Sequence, residues 1–141
     1  MQIEISDDPA RLDIALIHRF LTEESTWGRG MPLATLQKAV AHSLCFGAYH
    51  DGSQVGFARV ISDRATYAYL ADVFTLPDYR GRGISRLLMD AVQAHPDLQR
   101  LRRFTLVSST ARELYAKYGW TALAKPELHM ERHLPDIYLK D

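Results

Sequence analysis

Arginine and glycine alternate over residues 80–83, and apolar residues at helical spacing follow directly after them. The segment before them, Tyr67–Leu76, is rich in aromatic and β-branched residues, as strands are, and a proline ends it. A glycine turn that opens a helix leaves several backbone N–H groups unpaired at the positive end of the helix dipole. Such groups bind anions, above all phosphate, and the side chains of Arg80, Arg82 and Ser85 could add donors. The pattern therefore predicts a phosphate site at this turn.

Two common phosphate loops do not fit the turn. The Walker A loop requires a lysine after its second glycine, and no lysine is present here. The dinucleotide loop Gly-x-Gly-x-x-Gly requires a third glycine where this chain has Arg86, and the preceding segment does not begin a βαβ unit. A strand–helix corner that needs glycine only for its geometry remains the alternative to a ligand site.

The composition is that of an ordinary globular domain. The chain has 141 residues, enough for one domain with a real core and too few for two. Its formal net charge is zero, which argues against a general binder of nucleic acid or membranes. The single cysteine, Cys45, excludes a disulfide framework, and neither a signal-like N-terminus nor an apolar run of membrane-spanning length is present. We therefore expect a cytoplasmic protein.

Periodicity and turn signals divide the whole chain into short helices and strands that lead to and from this turn. The chain begins with a predicted strand at 2–6 and a helix through about 21, which is capped by Ser6, Asp7 or Asp8 and has Pro9 in its first turn. A loop at 22–33 and a helix at 33–42 follow, and then strands at 44–49, 55–61 and 66–76. After the glycine turn and its helix, which ends at about 94, come a strand at 102–107, a helix at 111–118 and closing strands at 120–123 and 128–133. An antiparallel meander followed by crossover helices predicts a single α/β domain over residues 1–141, with a mixed sheet.

Two motifs in this order resemble those of the GNAT superfamily of N-acetyltransferases. Arg80, Gly83 and Ser85 occupy the defined positions of its acetyl-CoA loop, Arg/Gln-x-x-Gly-x-Gly/Ala, with serine at the last. About thirty residues later, Ala111-x-x-Leu114-Tyr115-x-Lys117-x-Gly119-Trp120 resembles the family segment Ala-x-x-Leu/Phe-Tyr-x-Lys-x-Gly-Phe. The resemblance extends over the chain from the first helix onward. It implies the GNAT fold, a central, mostly antiparallel sheet flanked by about four helices.

The resemblance also implies acetyl-CoA as cosubstrate and assigns roles to individual residues. Tyr115 would protonate the leaving thiolate, although a core tyrosine is the alternative reading and Tyr118 a nearby rival. Asp72 could deprotonate the attacking ammonium, or could simply pair with Arg59. The residues expected to bind acetyl-CoA are Val73, Phe74, Thr75, Arg80, Gly81, Arg82, Gly83, Ile84, Ser85 and, where the family often has asparagine, Ser108.

The acceptor of the acetyl group is expected to be an amine of a small molecule or a peptide. The loop at 22–33 is expected to shape the site that binds this acceptor. Trp27 and Met31 in that loop either pack into the core or wall the ligand site. A non-catalytic module that binds acyl-CoA is the alternative function. A homodimer is expected because the apolar residues of the last strand leave an edge that needs cover. No metal is expected, since the alternating His129, Glu131 and His133 suit a solvated strand face better than a metal site.

Overall fold

The computed structural model describes residues 1–139, in which five strands form one mixed sheet. The strands are β1 (Glu4–Ser6), β2 (Leu44–His50), β3 (Ser53–Ser62), β4 (Tyr67–Thr75) and β5 (Arg103–Leu106). They lie side by side in sequence order, antiparallel from β1 to β4, while β5 runs parallel to β4. The predicted α/β class with a mixed, mostly antiparallel sheet is confirmed.

Four α-helices cover the two faces of the sheet. They are α1 (Ile14–Glu23), α2 (Leu33–Ala41), α3 (Ile84–Ala94) and α4 (Arg112–Ala116). The first two helices share one core cluster with Phe57 and Phe74 of the sheet, and α3 shares the other with Tyr115 of α4. None of the helices within residues 1–139 is long and apolar enough to cross a membrane.

The first helix begins later than the sequence predicted. Asp8 caps only a short 3-10 turn at Pro9–Arg11, where its carboxylate accepts from the N–H of Ala10. A separate helix, α1, begins after Asp13, whose Oδ1 accepts from the N–H of Leu16 at 3.0 Å and caps it. Two cap-forming residues lie close together, and the second one opens the longer apolar face.

The register of β4 changes at a bulge. Phe57 of β3 lies opposite Phe74, and Arg59 lies opposite Ala71, so that β4 carries an extra residue between these pairs. Asp72 sits within this bulge with a positive φ of 53°, a backbone conformation that is uncommon for residues other than glycine. Only Tyr67–Leu70 pair with β5. The second half of β4 therefore leaves its parallel neighbour and opens a cleft.

The two predicted closing strands are wrong for the described chain. Residues 120–123 and 128–133 form no strand, and a 3-10 turn occupies Pro126–Leu128. All side chains from 121 to 137 are exposed. Alternating residues form a strand only where neighbouring backbone supplies hydrogen-bond partners, and no neighbouring strand within residues 1–139 does so here.

Candidate active site

A cavity of about 700 Å³ lies where β4 leaves β5, beside the start of α3. It is lined by most of the residues that the sequence singled out, namely Val73, Phe74, Thr75, Arg80, Gly81, Gly83, Ile84, Ser85 and Tyr115. Helix α1 contributes Phe20, whose ring stacks on Phe74 with the ring centroids 3.9 Å apart. Two separate predictions, the glycine turn and the tyrosine motif, thus meet in one place.

The glycine turn has the geometry that an anion site needs. Gly81 and Gly83 both adopt left-handed φ values, of 77° and 78°, which glycine reaches without the strain of a side chain. Gly83 is the N-cap of α3, and the first backbone bond of the helix runs from the N–H of Leu87 to the carbonyl of Gly83. Within residues 1–139, no backbone carbonyl accepts from the N–H groups of residues 81–86. These donors are available to a ligand.

Side chains around the turn tie it to the end of β4. The hydroxyl oxygens of Thr75 and Ser85 lie 3.3 Å apart, and Arg80 Nε donates to the carbonyl oxygen of Thr75 at 3.3 Å. The guanidinium of Arg82 lies over the ring of Tyr79 at 5.3 Å from its centroid, and Arg82 does not line the cavity. Of the two arginines predicted to bind phosphate, Arg80 is therefore the one that lines the cavity.

Sequence reasoning missed Arg86, which also lines the cavity. It occupies the first turn of α3, where the helix dipole disfavours a cation unless an anion binds nearby. That misplaced charge was the signal that could have identified it. Ser108 is not among the lining residues. Its hydroxyl instead accepts from the N–H of Ala111 at 2.9 Å, and the adjacent Ser109 and Thr110 line the cavity in its place.

Tyr115 lies at the wall of the cavity, 8% exposed. Its ring packs edge-on against Trp120, with the ring centroids 6.0 Å apart. Burial raises the pKa of its phenol above the ordinary tyrosine value, so the side chain holds its proton at neutral pH. The rival Tyr118 lines a different cavity, together with Trp120 and Leu123.

Asp72 is held by two donors rather than pointing freely into the cavity. Arg59 Nε donates to Asp72 Oδ2 at 2.8 Å, and Trp27 Nε1 donates to Asp72 Oδ1 at 2.8 Å. The Asp72 side chain is 6% exposed and that of Arg59 14% exposed. Trp27 itself is 53% exposed and lines the cavity, whereas Met31 from the same loop is buried in the core. Of the two alternatives for the large apolar residues of this loop, Met31 packs into the core and Trp27 lines the cavity.

The remaining charge in the cavity wall is acidic. Glu24, at the end of α1, lines it, whereas Glu23 lines a neighbouring cavity of about 390 Å³. Among residues 1–139, no group of three or more His, Cys, Asp and Glu side chains is placed to hold a metal ion. The cavity thus combines arginines at the start of α3 with a carboxylate at the end of α1.

Comparisons with known proteins agree with this geometry. A family described as the acetyltransferase (GNAT) domain matches residues 41–122. A Gibberella zeae protein provisionally named as an acetyltransferase is 32% identical over 136 residues, which cover 80% of this chain and 75% of that protein.

Many solved structures are similar in fold to this chain. One, of a protein from Xanthomonas campestris pv. campestris provisionally assigned to the GNAT family, has a TM-score of 0.98 and 56% identity and covers 99% of both chains. Another, a predicted acetyltransferase from Clostridium acetobutylicum solved with acetyl-CoA, has a TM-score of 0.65 and 17% identity, covering 94% of this chain and 95% of that one. The latter likeness concerns the fold alone.

Proposed function

Because the chain belongs to the GNAT acetyltransferase family, we propose that it transfers an acetyl group from acetyl-CoA to an amine of a small molecule or a peptide. The observation that carries this proposal is the single cavity that joins the glycine turn, the unpaired edge of β4 and Tyr115. A phosphate site, an extended backbone edge and a buried proton donor are the three parts that this reaction needs.

Acetyl-CoA would be held by backbone groups at its pyrophosphate and along its pantetheine. The free N–H groups of residues 81–86, with Arg80 and Arg86 beside them, suit its pyrophosphate. Beyond the bulge, Val73–Thr75 have no strand partner on the β5 side among residues 1–139 and can hydrogen-bond the amide groups of the pantetheine as an added strand would. The presence of acetyl-CoA in the Clostridium acetobutylicum structure of like fold supports this cosubstrate.

The chemical step is a direct attack by the amine on the thioester carbonyl. The nitrogen forms the new C–N bond, and the carbon–sulfur bond breaks with its electrons passing to sulfur. A backbone N–H at Phe74 or Thr75 would stabilise the negative charge that develops on the carbonyl oxygen. Tyr115 would give its phenolic proton to the leaving thiolate, a role that suits a phenol held neutral by burial.

The attacking amine must lose a proton, and Asp72 is the proposed acceptor. The carboxylate lies at the bulge directly before the residues that would hold the thioester, but both of its oxygens already accept hydrogen bonds. It could take the proton only through a water or after Trp27 turns away. In this proposal the 24–32 loop, which carries Trp27, controls access to the base.

The acceptor site would favour a cationic amine. Glu24 and the exposed ring of Trp27 line the cavity, and a carboxylate beside an aromatic face attracts an ammonium group. Asp72 adds a second carboxylate behind the indole. We further place the reaction in the cytoplasm, in keeping with the free thiol of Cys45.

The test is a mass-spectrometric screen of primary amines, including diamines and peptides, incubated with the protein and acetyl-CoA. We expect a mass gain of one acetyl group on at least one cationic amine, together with release of free CoA. Binding of acetyl-CoA by calorimetry with no turnover of any amine would overturn the proposal in favour of a non-catalytic module. A Gly83→Asp variant serves as the control that removes the phosphate site.

A further inference from the structure

Helices α1 and α2 leave part of their face of the sheet uncovered. Their core cluster takes in Phe57 of β3 and Phe74 of β4 but no residue of β5. Side chains alternate between the two faces of a strand, so Ile61 lies on the same face as Phe57. Tyr69 lies opposite Ile61 of β3 and opposite Thr105 of β5. We call this uncovered part of the face the floor, and its side chains are those of Ile61, Tyr67, Tyr69 and Thr105.

The floor is aromatic and partly exposed. Ile61 and Tyr67 are each 43% exposed, and Tyr69 is half-buried. The hydroxyl oxygens of Tyr67 and Thr105 lie 2.5 Å apart, which holds these two side chains together. Single exposed apolar residues are common on protein surfaces, whereas several side by side mark a binding surface. The floor therefore suits a flat apolar ligand.

The floor leads directly to Asp72. Tyr69 precedes Asp72 by three residues in β4, and because a strand rises about 3.4 Å per residue, their Cα atoms are at most about 10 Å apart. The bulge turns the Asp72 side chain towards Arg59, which lies on the same face as Ile61. Burial and the negative charge of Asp72 raise the pKa of Tyr69, in keeping with the proximity of the two side chains. A ligand on the floor would thus end beside a carboxylate.

One of the two hydrogen-bond donors to Asp72 can be exchanged. Arg59 is held in place, since its Nη1 also donates to Ser43 Oγ at 3.2 Å and its side chain is only 14% exposed. Trp27, which donates to Oδ1, comes from a loop, is uncharged and is 53% exposed. An ammonium group would form a stronger, charge-assisted bond to the same oxygen. The indole N–H therefore occupies a position that suits the nitrogen of a cationic ligand.

Building on the proposed transfer reaction, we infer that the acceptor is a small amine with a planar apolar body. Its ring would lie on the floor against Tyr67 and Tyr69, and its ammonium group would replace the Trp27 N–H at Asp72 Oδ1. A linker of about two carbon atoms between ring and nitrogen matches the distance from the floor to the carboxylate. The carboxylate would then face the proton that the amine must lose before it attacks.

The first test measures binding without turnover. Calorimetry on the wild type saturated with CoA compares phenethylamine with n-hexylamine, which has the same charge but no ring. We expect the Kd for phenethylamine to be about tenfold lower, because only this amine makes aromatic contacts with the floor. Tyr69→Leu keeps an apolar side chain without a ring and should bring the two Kd values together. Leu33→Ala, at the exposed start of α2, is the control and should preserve the difference.

The second test concerns the ammonium group. Phenylethyl alcohol has the same ring and linker as phenethylamine but no charge, so its Kd should be at least about tenfold higher. Trp27→Phe keeps a ring in the loop and removes the N–H that binds Asp72. This variant should lower the Kd for phenethylamine about tenfold, since no donor must be displaced from the carboxylate. The Kd for the alcohol should stay nearly unchanged.

Four results would overturn the inference: no binding of phenethylamine, equal Kd values for phenethylamine and n-hexylamine, a difference that survives Tyr69→Leu, or a Kd for phenethylamine that does not fall in Trp27→Phe. Each is a binding result and leaves the proposed transfer reaction standing. Acetylation of aliphatic amines or peptides in preference to phenethylamine would likewise overturn only the acceptor class. Binding of phenethylamine as expected, without acetylation of any amine, would overturn only the reaction.

Discussion

The indole Nε1 of Trp27 donates a 2.8 Å hydrogen bond to the Oδ1 atom of Asp72, across 45 residues of sequence. The same carboxylate accepts from Arg59 through its other oxygen, so it links the loop after α1 to the sheet at the bulge of β4. This hydrogen bond holds Trp27, which lines the cavity, in place against the sheet. It also means that a candidate base and a structural tie are the same side chain.

Replacing Asp72 should therefore affect stability as well as activity. In Asp72→Asn the guanidinium of Arg59 keeps its charge in a largely buried position without its anion, and the free energy of unfolding should fall by about 3 kcal/mol. Urea unfolding followed by circular dichroism measures the change. Asp90→Asn, on the exposed side of α3, is the control and should change the free energy by less than about 0.5 kcal/mol. A loss below about 1 kcal/mol for Asp72→Asn would show that the pair is not an essential tie.

The glycine turn should lose its ligand when a carboxylate is placed in it. Gly83→Asp adds a negative side chain where phosphates would bind, and we expect the Kd for acetyl-CoA to rise at least about 100-fold, which corresponds to about 2.7 kcal/mol. Gly52→Asp is a matched control, because Gly52 has a similar φ of 80°, also has open space around it, and lies in the β2–β3 hairpin turn. Calorimetry on both folded variants decides the matter. Equal affinities in the two would move the phosphate site elsewhere.

Tyr115→Phe should separate catalysis from binding. Removing only the hydroxyl should leave the affinity for acetyl-CoA intact and lower kcat by about 100-fold, because the proton is needed only as the thiolate leaves. The matched control is Tyr118→Phe, which lines a different cavity and should keep wild-type kcat. Steady-state kinetics with one good acceptor amine gives both values. Retention of full turnover by Tyr115→Phe would exclude this hydroxyl as the acid.

The pH profile gives an independent check on Tyr115. Its pKa is raised by burial, so the phenol stays protonated to a higher pH than an ordinary tyrosine with its pKa of about 10. In the wild type, any loss of kcat that comes from deprotonating this acid should therefore appear above pH 10 or so. In Tyr115→Phe this alkaline limb should be absent. An alkaline limb that begins below about pH 10 in the wild type would point to another group.

Asp63 should contribute stability that depends on pH. The Thr66 hydroxyl donates to its carboxylate at 2.6 Å, and the N–H groups of Thr66 and Ala65 also donate, which holds the pKa of Asp63 well below its usual range. A lowered folded pKa gives stability that is fully present above the unfolded value of about 3.9 and is lost as the pH falls towards the folded one. The difference in unfolding free energy between the wild type and Asp63→Asn should therefore be constant near pH 6 and shrink below about pH 4. A difference that stays constant down to pH 2 would contradict the role of this carboxylate.

Sequence alone identified the features that depend on local backbone chemistry. The glycines at 81 and 83 indicated a tight turn before a helix, and the structure has that turn with left-handed φ at both residues. Asp51-Gly52, between β2 and β3, is an Asp-Gly pair of the kind that favours a tight hairpin turn, and both residues have positive φ. The helix predicted at 111–118 is present as α4 (Arg112–Ala116), which carries Tyr115. Each of these depends on a few neighbouring residues and on torsion angles that little else can satisfy.

Only the tertiary structure decided which side chains meet across the chain. The pairing of Asp72 with both Arg59 and Trp27, and the choice of Ser109 and Thr110 over Ser108 at the cavity, depend on how a bulge and a loop settle in three dimensions. The prediction of the last two strands was wrong because it also depended on contacts with distant parts of the chain. Residues 128–133 have the alternation of a strand, but a strand also needs a neighbour to supply hydrogen bonds, and one copy of the chain leaves that segment exposed. The alternation of apolar and polar residues is a property of the sequence, whereas the partner of a strand depends on where the rest of the chain, or a second copy of it, lies.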